Sequence, residues 1–361
     1  MDSIKLIDRK TFLSPVTIGQ SMDPAVLGII KTQRKKAMNR KRRPPDISTW
    51  THRERYKGTI IEGFNAVLVT RGCRWYHASG CSMCGYSNES DISGEDIRMG
   101  RQLEKVRTHY GDQPLIKVFT SGSFFDEKEL IPGERTEVLV AVREMLEGKD
   151  GTLLVESRPE FIDGEMLTSV METLGGSDLM VALGLESSND KVLEESINKG
   201  FTFADYQAAA STIVASGAQL KTYLMLKPPF LSETDAIADC INTMKDLADL
   251  DIPQTVSINP MNVQNYTLVE HMFSRGEYRP PWLWSVIEVL KRGRHVLGKD
   301  IWMLCHPTAG GRSRGPHNCG KCDPELLESI QDFSLTNDVQ TLDGLECDCR
   351  QEYNSASMEY K

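Results

Sequence analysis

The sequence predicts an α/β chain folded as an open, partial (β/α)6 TIM-like barrel, with an N-terminal extension over residues 1–60, a core over 61–304 and a small Cys-rich module over 305–361. Three observations predict it. From Phe64 onward, short runs rich in β-branched residues alternate with longer segments of helical period. The alternation repeats six times, too few for a closed eight-stranded barrel. Seven of the nine cysteines fall into two clusters, one at each end of the core.

Before Phe64 there is little periodicity beyond a short helical stretch near Val26, and Arg43-Pro44-Pro45 forms a turn. Within this extension Lys31, Arg34, Lys35, Lys36, Arg40, Lys41, Arg42 and Arg43 form a basic arm without a single acid. The strand candidates are Phe64 to Thr70, Leu115 to Thr120, Thr152 to Glu156, Met180 to Leu185, Leu220 to Leu226 and Thr255 to Asn259. Helices are expected between them at Glu134 to Leu146, Glu165 to Leu174, Ala204 to Ser216 and Thr234 to Leu247, at crossover lengths that suit parallel strands. A last helix, Trp282 to Leu297, precedes one more apolar run, Ile301 to Leu304. The tail beyond it has no sustained period and is expected as a metal-knit module or a disordered end. Chemistry in such a barrel sits at the strand C-terminal ends.

Composition narrows the function. No run of about 18 apolar residues and no charged-then-apolar leader occurs, so the expectation is a soluble, cytoplasmic chain without membrane contact. Nine cysteines in a reducing compartment point to metal ligands rather than disulfides. A net charge of −9 argues against nucleic-acid binding over the whole surface and leaves the basic arm as a local exception.

Thr70-Arg71-Gly72-Cys73 places a cysteine just past the first core strand, and Cys81 and Cys84 follow on the same loop. Three thiolates can hold a 4Fe-4S cluster with one iron left for an outside ligand. They can also close a zinc site with His77 as the fourth ligand, or be incidental.

The surrounding stretches decide between these readings. The chain resembles the radical SAM superfamily, within it the branch of the catalytic Elongator subunit, and most of all the radical SAM subunit of archaeosine synthase, a tRNA-modifying family. The resemblance runs from about Arg71 to Cys349 and is carried by Val118-Phe119-Thr120-Ser121-Gly122-Ser123-Phe124, Val155-Glu156-Ser157-Arg158-Pro159-Glu160, Leu183-Gly184-Leu185-Glu186-Ser187, Leu224-Met225-Leu226-Lys227-Pro228-Pro229-Phe230 and Arg279-Pro280-Pro281-Trp282-Leu283-Trp284. Seven residues separate Cys73 from Cys81, where the superfamily has three; this weakens the general signature and favours the tRNA-modifying branch. Met83 stands where an aromatic residue is usual before the third cysteine, with Tyr86 as a substitute.

The resemblance implies that Cys73, Cys81 and Cys84 ligate the 4Fe-4S cluster and that Ser121, Gly122 and Ser123 hold the methionine amino group of S-adenosylmethionine. Glu186 and Ser187 then contact its ribose or methionine end, and Glu156 and Arg158 face the same mouth; the plain alternative pairs Glu156 with Arg158. It implies a tRNA substrate whose deazaguanine already carries a lysine added by a separate lysine-transferring subunit. Reductive cleavage of S-adenosylmethionine gives a 5'-deoxyadenosyl radical, hydrogen leaves the lysine side, and carbon–nitrogen cleavage leaves archaeosine, a lyase-type reaction. A complex with that subunit and a reductant such as ferredoxin or flavodoxin follows.

Position alone makes Lys227 and Asn259, at the ends of the fifth and sixth runs, candidate substrate contacts, with Asn262 and Gln264 on the next loop. Their plain roles are a snorkelling lysine and a turn cap. Cys319, Cys322, Cys347 and Cys349 suit zinc, or a second iron–sulfur cluster, or no metal, with His317 as a spare ligand. The nearby Arg312 to His317 segment is either a phosphate-contacting loop or a solvated one. Two other functions compete: a radical SAM tRNA modifier with another base substrate, and a zinc-binding nucleic-acid or scaffold protein without radical chemistry. The basic arm is either a phosphate contact or a solvated tail.

Overall fold

The computed structural model describes residues 22–39, 46–91, 94 and 97–358. Residues 40–43 of the basic arm lie outside the described residues. Eight strands form one sheet in chain order: β1 (Ser48–Tyr56), β2 (Thr59–Val67), β3 (Leu115–Phe119), β4 (Thr152–Ser157), β5 (Asp178–Glu186), β6 (Gln219–Leu226), β7 (Gln254–Pro260) and β8 (Trp302–Cys305). All neighbours from β2 to β8 are parallel, so the sheet is the curled, open half-barrel that the alternation predicted. The run at Ile301 to Leu304 becomes its last strand.

β1 is the unexpected member. It lies within the segment read as an extension and pairs antiparallel with β2, Tyr56 facing Thr59. Lys57 and Gly58 both have positive φ, 44° and 86°, the backbone of a tight hairpin turn that follows the strand twist. β1 and β8 are not hydrogen-bonded neighbours, yet side chains cross the seam: the Arg55 guanidinium lies 4.6 Å from the Trp302 ring centroid, and the His52 and His306 rings are 5.1 Å apart.

The crossover helices fall within a residue or two of expectation: α4 (Pro132–Met145), α5 (Gly164–Leu174), α6 (Phe203–Ala215), α7 (Glu233–Asp249) and α9 (Leu283–Leu297). Their caps explain the match. Asp163, Thr202 and Ser232 each accept a backbone N–H at the first turn of α5, α6 and α7, and Gly175 ends α5 in the left-handed conformation. The core lies between these helices and the outer face of the sheet, where Val155, Leu183, Leu224 and Ile258 are fully buried. On the inner face charge replaces hydrocarbon: Lys117 pairs with Glu54 at 2.5 Å, and Lys221 is buried beside them.

α1 (Pro24–Asn39) was read only as a short stretch, and three further helices were absent from the periodic reading: α3 (Met99–His109), α8 (Leu268–Ser274) and α10 (Asp323–Thr336). A short α2 (Arg74–Ala78) lies inside the first cysteine loop, and α11 (Cys349–Met358) starts on the last cysteine. The tail therefore carries two α-helices, the second running to Met358. α1 extends the helical stretch near Val26 and packs against α8 and the turn Tyr86–Glu89.

Candidate active site

Cys73, Cys81 and Cys84 lie on the loop after β2, each half-buried. The loop is fastened along its length. Thr70 donates to Glu129 at 2.8 Å, Arg71 makes a bidentate pair with Glu134 at the start of α4, and the Cys73 N–H donates to Ser87 Oγ at 3.2 Å. Arg74 pairs with buried Asp126. Further on, the Ser82 N–H donates to Ile197 O at 2.8 Å, the Gly85 N–H to Gln264 Oε1 at 2.5 Å, and Asn88 to Asn265 O at 2.7 Å.

Much of that fastening comes from one segment that the sequence reading passed over. Val192–Ile197 is a π-helical turn, a rare form frequent at functional sites, and left-handed Asn198 (φ 57°) ends it. The Asn198 amide donates to Gly80 O at 2.7 Å and to Ser79 Oγ at 2.9 Å, while its carbonyl accepts from the Trp75 indole at 2.8 Å. Next in line, Lys199 is buried and pairs with Glu186 at 2.8 Å, within electrostatic reach of Cys81. Asn198-Lys199-Gly200 carries the turn composition that could have marked this hook.

The donor set fits a metal cluster on this loop. Burial pushes the Cys73 thiol up to about 11 and the Cys84 thiol up to about 12, so these two thiolates persist here only against positive charge. Gly122, after β3, lies so close that a β-carbon on it would meet the Cys73 β-carbon at 2.6 Å. His77 is directed elsewhere, its Nε2 at 3.1 Å from Arg71 O. Among the described residues the three loop thiols do not form a close single-ion group, whereas Cys319, Cys322, Cys347 and Cys349 do, with all four sulfurs within 4.8 Å.

The barrel mouth gathers most of the expected residues. Glu156 is held by Tyr223, and burial pushes its carboxyl up to about 7. Glu156 and Arg158 do not pair with each other: Arg158 Nε donates to Glu160 at 2.6 Å, and its guanidinium lies over Trp75 and Phe201. Arg158 Nη2 is buried with no partner, near Cys73. Tyr86 is 64% exposed, yet Cys84, Glu156, Glu186 and Gln264 all act on its hydroxyl, which places that hydroxyl at the mouth. Met83 is buried in the core instead. Asn259 and Asn262 are half-buried and make no hydrogen bond with the described residues through their side chains.

Four of the expected residues bond elsewhere. Ser187 is fully buried, and its hydroxyl donates to Asp239 of α7 at 2.9 Å, because neighbouring residues at a strand end face opposite ways and Glu186 takes the mouth side. Ser123 uses its N–H on Glu129 at 2.7 Å and its hydroxyl to accept the Arg158 N–H at 3.0 Å, so it braces two loops; Ser121 bonds Ser90 at 2.7 Å. Lys227 is bound to Glu233 of α7 at 2.5 Å, since a positive φ of 67° turns its side chain toward that helix. Glu186 also has a positive φ of 70°. Non-glycine residues in this region cost on the order of 1–3 kcal/mol each and cluster at working sites.

In the second cluster the Cys319–Cys322, Cys319–Cys347 and Cys322–Cys349 sulfurs are 3.9, 3.6 and 3.7 Å apart. Four thiolates around one zinc at about 2.3 Å stand about 3.8 Å apart in a tetrahedron, so the spacing suits one ion. The Trp284 indole donates to Cys349 Sγ at 3.4 Å and Asn318 to Cys322 Sγ at 3.5 Å, the outer-shell bonds such ligands need. His317 stays outside the group, its Nδ1 at 2.8 Å from Gly315 O. Arg314 pairs with Glu270 and bonds Val263 O, which ties its loop to the mouth; exposed Arg312 is left to solvent.

An open parallel half-barrel carrying three cysteines on the loop after its first parallel strand defines the class: a TIM-like half-barrel with a thiol-bearing mouth. No family model matches the chain. It is 39% identical to archaeosine synthase subunit beta of Methanosarcina acetivorans over 84% of this chain and 87% of that protein. Identity to the protein of the same name in Thermococcus kodakarensis is 35%, over 84% and 94%. Similarity extends to an uncharacterised protein of Methanocaldococcus jannaschii at 31%, over 89% of each. Among solved structures, Elp3 of Methanocaldococcus infernus superposes with a TM-score of 0.47 at 21% identity, covering 68% of this chain and 58% of that one. The chain belongs to the archaeosine synthase subunit beta family. No helix among the described residues is long and apolar enough to cross a membrane.

Proposed function

We propose that this chain is a cytoplasmic radical SAM tRNA-modifying enzyme that converts the lysine adduct of deazaguanine in tRNA to archaeosine by carbon–nitrogen cleavage. The observation that carries the reading is the three-thiol loop pressed against Gly122 at the barrel mouth, in a chain of this family. When bound, the 4Fe-4S cluster with S-adenosylmethionine supplies a radical able to take hydrogen from an unactivated carbon. Cys73, Cys81 and Cys84 hold the cluster. The unpartnered N–H of Arg158 takes a carboxylate at the mouth, and the backbone at Ser121 to Ser123 offers the amino-group contact that its hydroxyls do not. Glu156, with its carboxyl near neutrality, holds or gives up a proton beside Tyr223 and Tyr86. The Asn259 amide receives the substrate from the opposite wall.

A base must leave its stack to reach such a mouth. Exposed Lys31, Lys35 and Lys36 on α1 supply phosphate contacts. A lysine-transferring subunit makes the substrate, a ferredoxin- or flavodoxin-type protein supplies the electron, and a zinc ion closes the C-terminal site. The test is formation of 5'-deoxyadenosine by anaerobically reconstituted protein with reductant and S-adenosylmethionine, with and without lysine-bearing tRNA, and a Cys73, Cys81, Cys84 triple alanine control. Cluster-dependent product that rises with this tRNA is expected. Product indifferent to it would overturn the substrate, and zinc at both sites without product would overturn the chemistry.

A further inference from the structure

Arg34 belongs to the basic arm by sequence and to the cysteine loop by structure. It sits on α1, which is no part of the barrel, and is only 8% exposed, whereas Lys31, Lys35 and Lys36 around it face solvent. Its Nη1 donates to Tyr76 O at 2.9 Å, and its guanidinium lies 5.1 Å from the Tyr76 ring centroid. Nη2 is buried and has no partner. A β-carbon on Gly80, the residue before Cys81, would fall 2.4 Å from that nitrogen, and Cys81, Cys84 and Cys73 all lie within its electrostatic reach. Among the described residues no carboxylate pairs with this guanidinium. A buried cation without a counter-charge is costly, so the arrangement calls for an anion at the loop.

We propose that Arg34 sets the reduction potential of the cluster held by Cys73, Cys81 and Cys84, acting from outside the barrel through the gap left by Gly80. The inference rests on the proposed function. A cluster gains negative charge on reduction, and a fixed cation nearby in a low-dielectric setting favours the reduced form. The other cations by the loop are partly neutralised: Lys199 by Glu186, Arg158 by Glu160 and Arg74 by Asp126. Arg34 alone among these has no acidic partner. Gly80, with φ +77°, is the residue that admits it.

The experiment is a redox titration of the full chain, reconstituted anaerobically with iron and sulfide and followed by the paramagnetic signal of the reduced cluster. R34Q is expected to shift the midpoint to more negative potential at unchanged iron and sulfide content, R34K to shift it less, and G80A, which displaces the guanidinium without removing it, to behave as R34Q. A wild-type midpoint in fully loaded R34Q overturns the proposal. If R34Q does not retain iron, G80A decides, and a wild-type midpoint there overturns it. Wild-type protein that takes up no such cluster would refute the proposed function and this inference together, an outcome distinct from an unchanged midpoint.

Discussion

Gly122 and Cys73 stand in direct contact across two loops: a β-carbon on Gly122 would lie 2.7 Å from the Cys73 α-carbon and 2.4 Å from Glu129 Oε2. The first cysteine of the loop is thus positioned by a glycine about fifty residues later in the chain. Overpacking such a contact typically costs about 1–3 kcal/mol. Gly122→Ala should lower the melting temperature modestly and sharply reduce the iron and sulfide retained per chain. Full metal content in a stable variant would show that the contact does not position the thiol.

The C-terminal sulfur spacing predicts one zinc ion per chain by elemental analysis, retained when the first three cysteines are replaced. Zinc in such a site contributes roughly 10 kcal/mol or more of apparent binding energy. Cys349→Ala should release it and expose the amides of α10 and α11 to hydrogen exchange. Two equivalents of iron-bound sulfide at this site would rule out the single-ion geometry.

Burial pushes the carboxyl of Asp239 up to about 7, with the Ser187 hydroxyl opposing the shift. The folded chain therefore binds this proton more tightly than the unfolded one. Its contribution to stability is complete below the ordinary carboxylate range and is lost as pH rises through about 7. Asp239→Asn, which keeps an acceptor for Ser187, should melt like wild type near pH 4 and at a higher temperature near pH 8, where its unfolding free energy should exceed wild type by on the order of a few kcal/mol. Equal melting at both pH values would refute the assignment.

Replacing Lys31, Lys35 and Lys36 with alanine should weaken tRNA binding and flatten its salt dependence by up to about 0.9 in the log–log slope per lysine. Deleting the whole arm is a poorer test, because it also removes Arg34 from the cysteine loop. Binding that keeps the wild-type slope across several salt concentrations would exclude this face.

The alternation of strand and helix was legible because each element writes its period locally. The helix-capping residues at Asp163, Thr202 and Ser232 and the thiols at 73, 81 and 84 are equally local signals. β1 was hidden because Ser48–Tyr56 is an edge strand dense in charged and polar residues, the composition that keeps such edges from pairing with other chains. Lys227 and Ser187 each lie one residue beyond the end of their strand, and their partners Glu233 and Asp239 sit on α7, so only packing against that helix turned them from the mouth.

By itself the sequence determined the barrel class, the loop that carries the first three thiols and the four thiols of the tail, since these depend on residue type and spacing. Tertiary structure alone decided which basic residue of the arm is buried, which sulfurs stand at single-ion distance and which residues hook the cysteine loop. Arg34 meets Gly80, Asn198 meets Ser79 and Cys319 meets Cys347 across long stretches of chain. Period and propensity act between near neighbours, whereas charge pairing and metal geometry depend on distance in space, which the order of residues does not carry.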